Sequence, residues 1–250
     1  MSVRTAPQVA ATVYARGPFQ AGVVVILEEE EANHLRVRRV GQGAALRLVD
    51  ARGGIATARL AVEGDVLAAR VVAATQVPPP PVADLLVGAG DRDRFLSIVE
   101  KATELAATRI VPVATEHAQQ VATRFQAQHV EKAVRRAREA VKQCGAAWAP
   151  AVVAPVLLAD ALRSLPARTA RFVADAEGTP LPPLREGEGV VWCIGPEGGF
   201  TEPELTAIRA AGFRPVALSR SVLRYETAAL AALAITAQAR LASPQSGSPA

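Results

Sequence analysis

The sequence predicts a mixed α/β protein in two parts: a small antiparallel β barrel or sandwich, then a mostly parallel α/β domain. Three observations carry this. Up to about residue 76, apolar runs of strand length are separated by turn signals. The run VPPPP at 77–81 then breaks the pattern, because successive prolines cannot donate to a ladder and stiffen into an extended spacer. Beyond it, strand-length apolar runs alternate with segments of helical period, the pattern of a parallel sheet with crossover helices.

In the first part VVVIL (23–27), ALRLVD (45–50), IATARL (55–60) and VLAARVVAA (66–74) are the expected strands, with ARGG (51–54) and EGD (63–65) as turns. In the second, ADLLVGAG (83–90) and RIVPVA (109–114) are strands flanking a helix over DRFLSIVEKATELAA (93–107). A long basic helix over 126–145 ends at Gly145. RFVADAEG (171–178), VVWCIGPEGG (190–199) and FRPVALSR (213–220) are each a strand running into a polar or glycine-containing loop. The expected organisation is therefore 1–76 for the β domain, 77–84 for the proline-rich linker and 85–242 for the α/β domain. The tail SPQSGSPA, 243–250, has a disordered composition.

Composition excludes several function classes. Half of the 250 residues are hydrophobic, yet no apolar run reaches the roughly 18–20 residues of a membrane span. The first residues lack the apolar core of a secretory leader, so the expected location is cytoplasmic. Cys144 and Cys193 are too few for a disulfide framework, and His34, His117 and His129 lack metal-ligand spacing, so no metal is expected. Lysine occurs only at 101, 132 and 142, so nearly all of the positive charge is arginine. Arginine forks suit phosphate, although arginine-rich coding alone produces the same composition.

Two strand exits stand out. In GPEGGFTEPEL (195–205), Gly195, Gly198 and Gly199 permit backbone conformations and approaches that a Cβ blocks. Thr201 and Glu204 fit a capping box, Pro203 sits in the first helical turn, and Gly212 is placed to end the helix. The carboxyl end of a parallel strand is where open α/β sheets bind ligands. No Gly-Lys-Ser/Thr follows, which excludes a P-loop, and GQGAAL at 41–46 lacks the last glycine of a dinucleotide fingerprint. In SRSVLRYETAALAAL (219–233) an arginine and a glutamate, Arg224 and Glu226, stand at the mouth of an alanine-rich helix. They are either a functional pair or a carboxylate meeting the helix dipole beside a surface arginine.

Together, IGPEGGFTEPEL and LSRSVLRYETAALAAL closely resemble the carboxyl-terminal signature of the RsmE family, SPOUT-class methyltransferases of small-subunit ribosomal RNA. HLRVRRVGQGAALRLVDARGG (34–54) is similar to that family's PUA-like amino-terminal segment. VEKATELAATRIVPVATEHA (99–118) and EAVKQCG (139–145) are similar to its first catalytic-domain elements. The resemblance implies a SPOUT-type α/β fold with a trefoil knot behind a PUA-like β barrel. It also implies a homodimer, S-adenosylmethionine as methyl donor and uridine N3 as acceptor. Donor contacts are implied at Ala174 and Asp175, at Ile194, Gly195, Pro196, Glu197, Gly198 and Gly199, at Leu218, Ser219, Val222 and Leu223, and at Thr227 and Ala228. Ser219 stands where glycine is usual, Ala107 is read at the glycine of the TELG pattern, His117 replaces an arginine, and Ala146 stands where arginine often follows the QSG position.

In the implied reaction Arg224 stabilises a uracil anion, while Glu226 either orients Arg224 or acts as base. Phosphate contacts are expected from His34, Arg36, Arg38 and Arg39, from Arg92 and Arg94, and from Arg135, Arg136 and Arg138 with Lys132 and Lys142. The alternative for each is a solvated surface charge. With aromatics at 4%, structured RNA read by shape is a better partner than single strands stacked on a platform. The implied partner is small-subunit ribosomal RNA within an assembled or assembling 30S-type subunit. Rival readings are another SPOUT enzyme acting on tRNA or ribose, and a noncatalytic assembly factor of the same fold.

Overall fold

The computed structural model describes residues 9–185 and 187–242, so the tail at 243–250 lies outside it. Among the described residues the chain forms two compact units, the residues up to Pro79 with Val141–Ala149, and Pro80–Ala140 with the residues from Pro150 onward.

The first unit holds a five-stranded sheet of β1 (Ala11–Tyr14), β2 (Val24–Ile26), β3 (Ala45–Val49), β4 (Gly54–Glu63) and β5 (Val66–Gln76), in the order β1-β3-β4-β5-β2. Alternate residues of β4 turn inward, Ala56, Ala58 and Leu60 joining Leu46 and Leu48 of β3 and Val71 of β5 in the core. The antiparallel expectation holds for three of the four pairings, but β1 runs parallel to β3. Sequence patterning passed over β1, which is only four residues long. It also passed over α1 (Glu29–Val37), which opens on three glutamates and buries only Glu31, Ala32 and Leu35.

The segment 141–149, read from sequence as part of the second domain, belongs with this first unit. Val141 packs with Val49 and Ala51, and the Trp148 indole donates to the carbonyls of Val77 and Pro78, both at 3.1 Å. An Arg47 guanidinium nitrogen donates to the Gly145 carbonyl at 2.7 Å.

The second unit is built on β6 (Ala83–Gly88), β7 (Arg109–Ala114), β8 (Ala151–Val152), β9 (Val156–Leu157), β10 (Thr169–Thr179), β11 (Gly189–Ile194) and β12 (Arg214–Val216). All its pairings are parallel, in the order β12-β10-β11-β6-β7-β8, with β9 also on β7. Its helices are α2 (Arg92–Glu104), α3 (Glu116–Gln119), α4 (Val130–Cys144, of which the residues from Val141 belong to the first unit), α5 (Leu158–Arg163), α6 (Glu202–Ala210) and α7 (Tyr225–Ala242). The apolar run of β11 serves both faces of the sheet. Val191 and Cys193 pack with Leu158 of α5 and Ile208 of α6, while the Trp192 indole donates to the Thr236 hydroxyl of α7 at 2.9 Å.

β6 begins at Ala83, inside the stretch read as linker, and β8, β9 and α5 were not foreseen because each spans only two to six residues. The glycine-like turn after α2 falls at Ala106 (φ 59°) and not at Ala107, which is buried. An alanine there is held in the left-handed region that glycine adopts without strain.

Candidate functional site

Residues within β10 and the loops after β11 and β12 meet the start of α7 around one cavity of about 670 Å³. Gly88, the last residue of β6, lets the glycine loop come close: a Cβ there would sit 2.5 Å from both the backbone nitrogen and Cδ of Pro196. Within the loop, Gly199 has φ 71° and donates its N–H to the Pro196 carbonyl at 2.9 Å, closing a tight turn. A Cβ on Gly195 would come within 3.1 Å of the Gly199 Cα.

Glu204 fixes the far side of the turn. One carboxylate oxygen accepts the Thr201 N–H at 2.9 Å, completing the capping box, and the other accepts the Glu116 N–H of α3 at 2.9 Å. The neighbouring His117 ring lies against Gly198, with Nδ1 3.1 Å from the Gly199 carbonyl oxygen. A carbonyl only accepts, so that contact requires the Nδ1–H form.

The cavity brings together most of the residues singled out from sequence. Ala174 and Asp175 come from β10; Ile194, Gly195, Pro196, Glu197, Gly198 and Gly199 from the exit of β11; Leu218, Ser219, Val222 and Leu223 from the loop after β12; and Ala228 from α7. Thr227 is not on its wall. Among the described residues, the backbone N–H groups of Leu218, Val222 and Leu223 make no intramolecular hydrogen bond, leaving donors for a ligand. Val222 is 91% exposed, an apolar side chain held open at the rim.

Arg224 lies on the wall with an exposed side chain, and among the described residues its guanidinium has no hydrogen bond or ion pair. Glu226 does not line the cavity and does not pair with Arg224. Its Oε2, shielded from solvent and without a hydrogen-bond partner, lies 3.8 Å from a guanidinium nitrogen of Arg94, which does line the cavity. Arg94, grouped from sequence with the phosphate-contacting residues, is thus part of the cavity. Tyr225 was missed altogether. It is buried, its hydroxyl donates to the Asp91 carbonyl at 2.8 Å, and burial pushes the phenol above its ordinary pKa, so it remains a donor. The apolar rhythm of LRYETAAL marked the start of a helix but not which of its first residues turns inward.

The remaining basic residues are placed as follows. His34, Arg36, Arg38 and Arg39 are exposed at and just beyond α1, with Arg36 paired to Glu29 at 2.7 Å. Arg92 pairs with Asp93 at 2.9 Å. On α4, Ala133, Ala137, Ala140 and Val141 are buried at helical spacing. Arg135 and Arg136 are exposed, Arg136 sits 3.4 Å from Glu100, and Arg138 is half-buried. Lys142 is not a free surface cation: it is partly buried, in an ion pair with the buried Glu31 at 2.6 Å. Among the described residues no cluster of histidine, cysteine, aspartate or glutamate could hold a metal, and burial pushes the Cys193 thiol up, away from reactivity.

The RNA methyltransferase domain family matches residues 78–237, and the RNA methyltransferase PUA domain family matches residues 27–65. The chain is 32% identical over 228 residues to ribosomal RNA small subunit methyltransferase E of Mycobacterium bovis, covering 85% of each chain. It is 29% identical over 220 residues to the Aquifex aeolicus protein of the same name, covering 86% of this chain and 94% of that one. Among solved structures, ribosomal RNA small subunit methyltransferase E from Neisseria gonorrhoeae, bound to S-adenosyl methionine, superposes with a TM-score of 0.81 at 28% identity. That match covers 91% of this chain and 97% of the other.

Proposed function

Because the chain belongs to the ribosomal RNA small subunit methyltransferase E family, we propose that it methylates small-subunit ribosomal RNA from S-adenosylmethionine, at N3 of a uridine. The observation that carries the reading is the convergence of the Gly195–Gly199 turn, the Leu218–Leu223 loop and Arg224 on one cavity.

The cavity fits the donor. Its volume falls within the ~300–1,000 Å³ typical of small-molecule sites, and unpaired backbone N–H groups on its wall offer hydrogen bonds to the polar edge of an adenine. Asp175 and Glu197 supply negative charge for the donor's cationic end. When bound, S-adenosylmethionine supplies a methyl group on a positively charged sulfur. The tasks left to the chain are to align the acceptor, keep water out and make uracil N3 a nucleophile.

Uracil N3 attacks only after losing its proton. Arg224, with a guanidinium uncommitted to any partner, stabilises the resulting anion through charge-assisted hydrogen bonds. Glu226 is a positioning residue in this reading. It holds Arg94 at the wall, so a second guanidinium faces the acceptor, and the N3 proton leaves to bulk water as the uracil enters, before water is excluded. The exposed arginines of α1 and α4 contribute sequence-independent phosphate contacts.

The family resemblance extends the proposal to a homodimer that works in the cytoplasm on assembled or assembling 30S-type subunits. Within the described residues no helix is long and apolar enough to cross a membrane. The decisive experiment incubates purified protein with labelled donor and undermodified small subunits, followed by nucleoside analysis. N3-methyluridine is the expected product. Label on a ribose or on another base sinks the N3 assignment, and donor binding without transfer to any RNA favours an assembly factor that has lost turnover.

A further inference from the structure

A second cavity, of about 210 Å³, lies beside the first in the same unit. Its apolar lining is Ala89 and Ala114, just beyond or at the ends of β6 and β7, Ala118 from α3, and Phe125, Ala127 and Pro155. Its polar lining is Gln119, Arg124 and Gln126, with no carboxylate.

The partition between the cavities is thin. On one side, Phe125 of the small cavity donates its backbone N–H to the Gly90 carbonyl at 2.9 Å. The next residue, Asp91, donates its N–H to a carboxylate oxygen of Glu197 on the large cavity at 3.3 Å. On the other side, Ala118 of the small cavity follows His117, whose ring packs against Gly198 of the large one. The two cavities thus open along the carboxyl ends of neighbouring strands, β11 and β6 with β7.

Size and chemistry narrow the ligand. The small cavity is below the ~300–1,000 Å³ of drug-sized sites, so it has room for one planar ring system and none for a second adenosyl compound. Apolar walls of alanine, proline and phenylalanine suit the faces of such a ring. A carboxamide offers both a donor and an acceptor to a ring edge, and a guanidinium without a competing carboxylate suits the attached phosphate. RNA loops present unstacked bases in succession, so a strand that places one base in the large cavity leaves its neighbour beside the partition.

We propose that the small cavity binds the base of a nucleotide adjacent to the methylated one, with Gln119 reading its edge and Arg124 meeting its phosphate. The proposal rests on the reading that RNA supplies the acceptor, and it goes further by assigning a subsite that selects sequence context.

The test uses full-length protein and a small-subunit RNA fragment that the wild type methylates, together with versions carrying an abasic residue immediately before or after the target. Two variants are compared: Gln119→Ala, which removes an exposed side chain, and Ala118→Leu, which fills the cavity. Donor affinity by calorimetry and thermal midpoint verify that each is folded. The expected result is a rise of about tenfold in KM for the RNA in Gln119→Ala, with kcat within about twofold. One abasic position should raise the wild-type KM similarly and erase the effect of Gln119→Ala. If Ala118→Leu does not fold, Gln119→Ala with the abasic pair decides alone. Wild-type protein that methylates no small-subunit RNA overturns the underlying reading and the subsite with it. Active wild type, with Gln119→Ala unchanged or additive with both abasic positions, overturns the subsite alone.

Discussion

Gly88→Ala is the sharpest test of how the site is assembled. A Cβ at position 88 would lie 2.5 Å from Pro196 N, 2.5 Å from its Cδ and 2.9 Å from its Cβ. Nonbonded carbons settle at about 3.5–4.0 Å, so one partner must retreat by about 1 Å. Strand β6 cannot, because it is hydrogen-bonded between β7 and β11. The displacement therefore falls on Pro196, the second residue of the glycine turn. Overpacking of this kind costs about 1–3 kcal/mol, a loss the domain should survive. A displacement of about 1 Å in a positioning element costs on the order of 100-fold in rate. Calorimetry with S-adenosylmethionine should show donor affinity weakened about 10- to 100-fold, alongside a modest drop in urea midpoint. Gly41→Ala, where an added Cβ meets nothing within 4 Å, is the matched control and should be silent. A folded Gly88→Ala protein that binds donor within about twofold of wild type would refute the claim that close strand-to-loop approach shapes the cavity.

Arg224→Ala should reduce methyl transfer by at least about 100-fold while leaving donor affinity nearly unchanged; turnover within about tenfold of wild type removes Arg224 from the chemistry. His117→Ala should raise KM for the donor about fivefold with kcat little altered, since it frees the Gly199 carbonyl without touching the acceptor; a fall in kcat alone contradicts that role. Thr123→Val tests an electrostatic tie behind the site. The Thr123 hydroxyl donates to Asp91 at 2.6 Å and holds that carboxyl below its ordinary pKa. Stability from such a group is present above the unfolded value of about 3.9 and is lost as pH falls through the lower folded value. The urea penalty of Thr123→Val should therefore be larger at pH 7 than at pH 3, and an equal penalty at both would discard this account.

How much was legible in the sequence follows from how local each signal is. The strand exits at 195 and 218 and the caps at Thr201 and Gly212 were readable, because glycine spacing, capping chemistry and apolar runs are local. Gly145, with φ 76°, ends α4 for the same reason. What escaped depends on packing between segments distant in the chain. Arg94 follows the N-cap of a helix more than 130 residues before Glu226, and no local pattern announces their meeting. Lys142 looked like its basic neighbours until Glu31, 111 residues away, paired with it. The segment 141–149 was read into the second domain for the same reason, since helical periodicity continues unbroken through Cys144 while its partners change to those of the first unit.

The position of Arg224 depends on α7 as a whole. That helix has 18 residues, a length of roughly 27 Å, enough to run the full length of β6 and β11. It is tied down at three levels. Tyr225 bonds the Asp91 carbonyl beside the cavity, Thr236 accepts from Trp192 of β11, and Arg240 donates to the carbonyls of Val82 and Glu188, just before β6 and β11 begin. Burial lowers the Arg240 pKa, and its contacts within the chain are to neutral carbonyls, so its task is to hold the helix in register with the two strands. Those same two strands carry Gly88 and the glycine turn at their opposite ends. One helix, pinned to both, therefore sets Arg224 at a fixed distance from the donor loop before any ligand arrives. Such preorganisation makes a charge effective without reorganisation cost during reaction. It also explains why the guanidinium can stay uncommitted: the backbone beneath it is positioned by contacts farther along the helix.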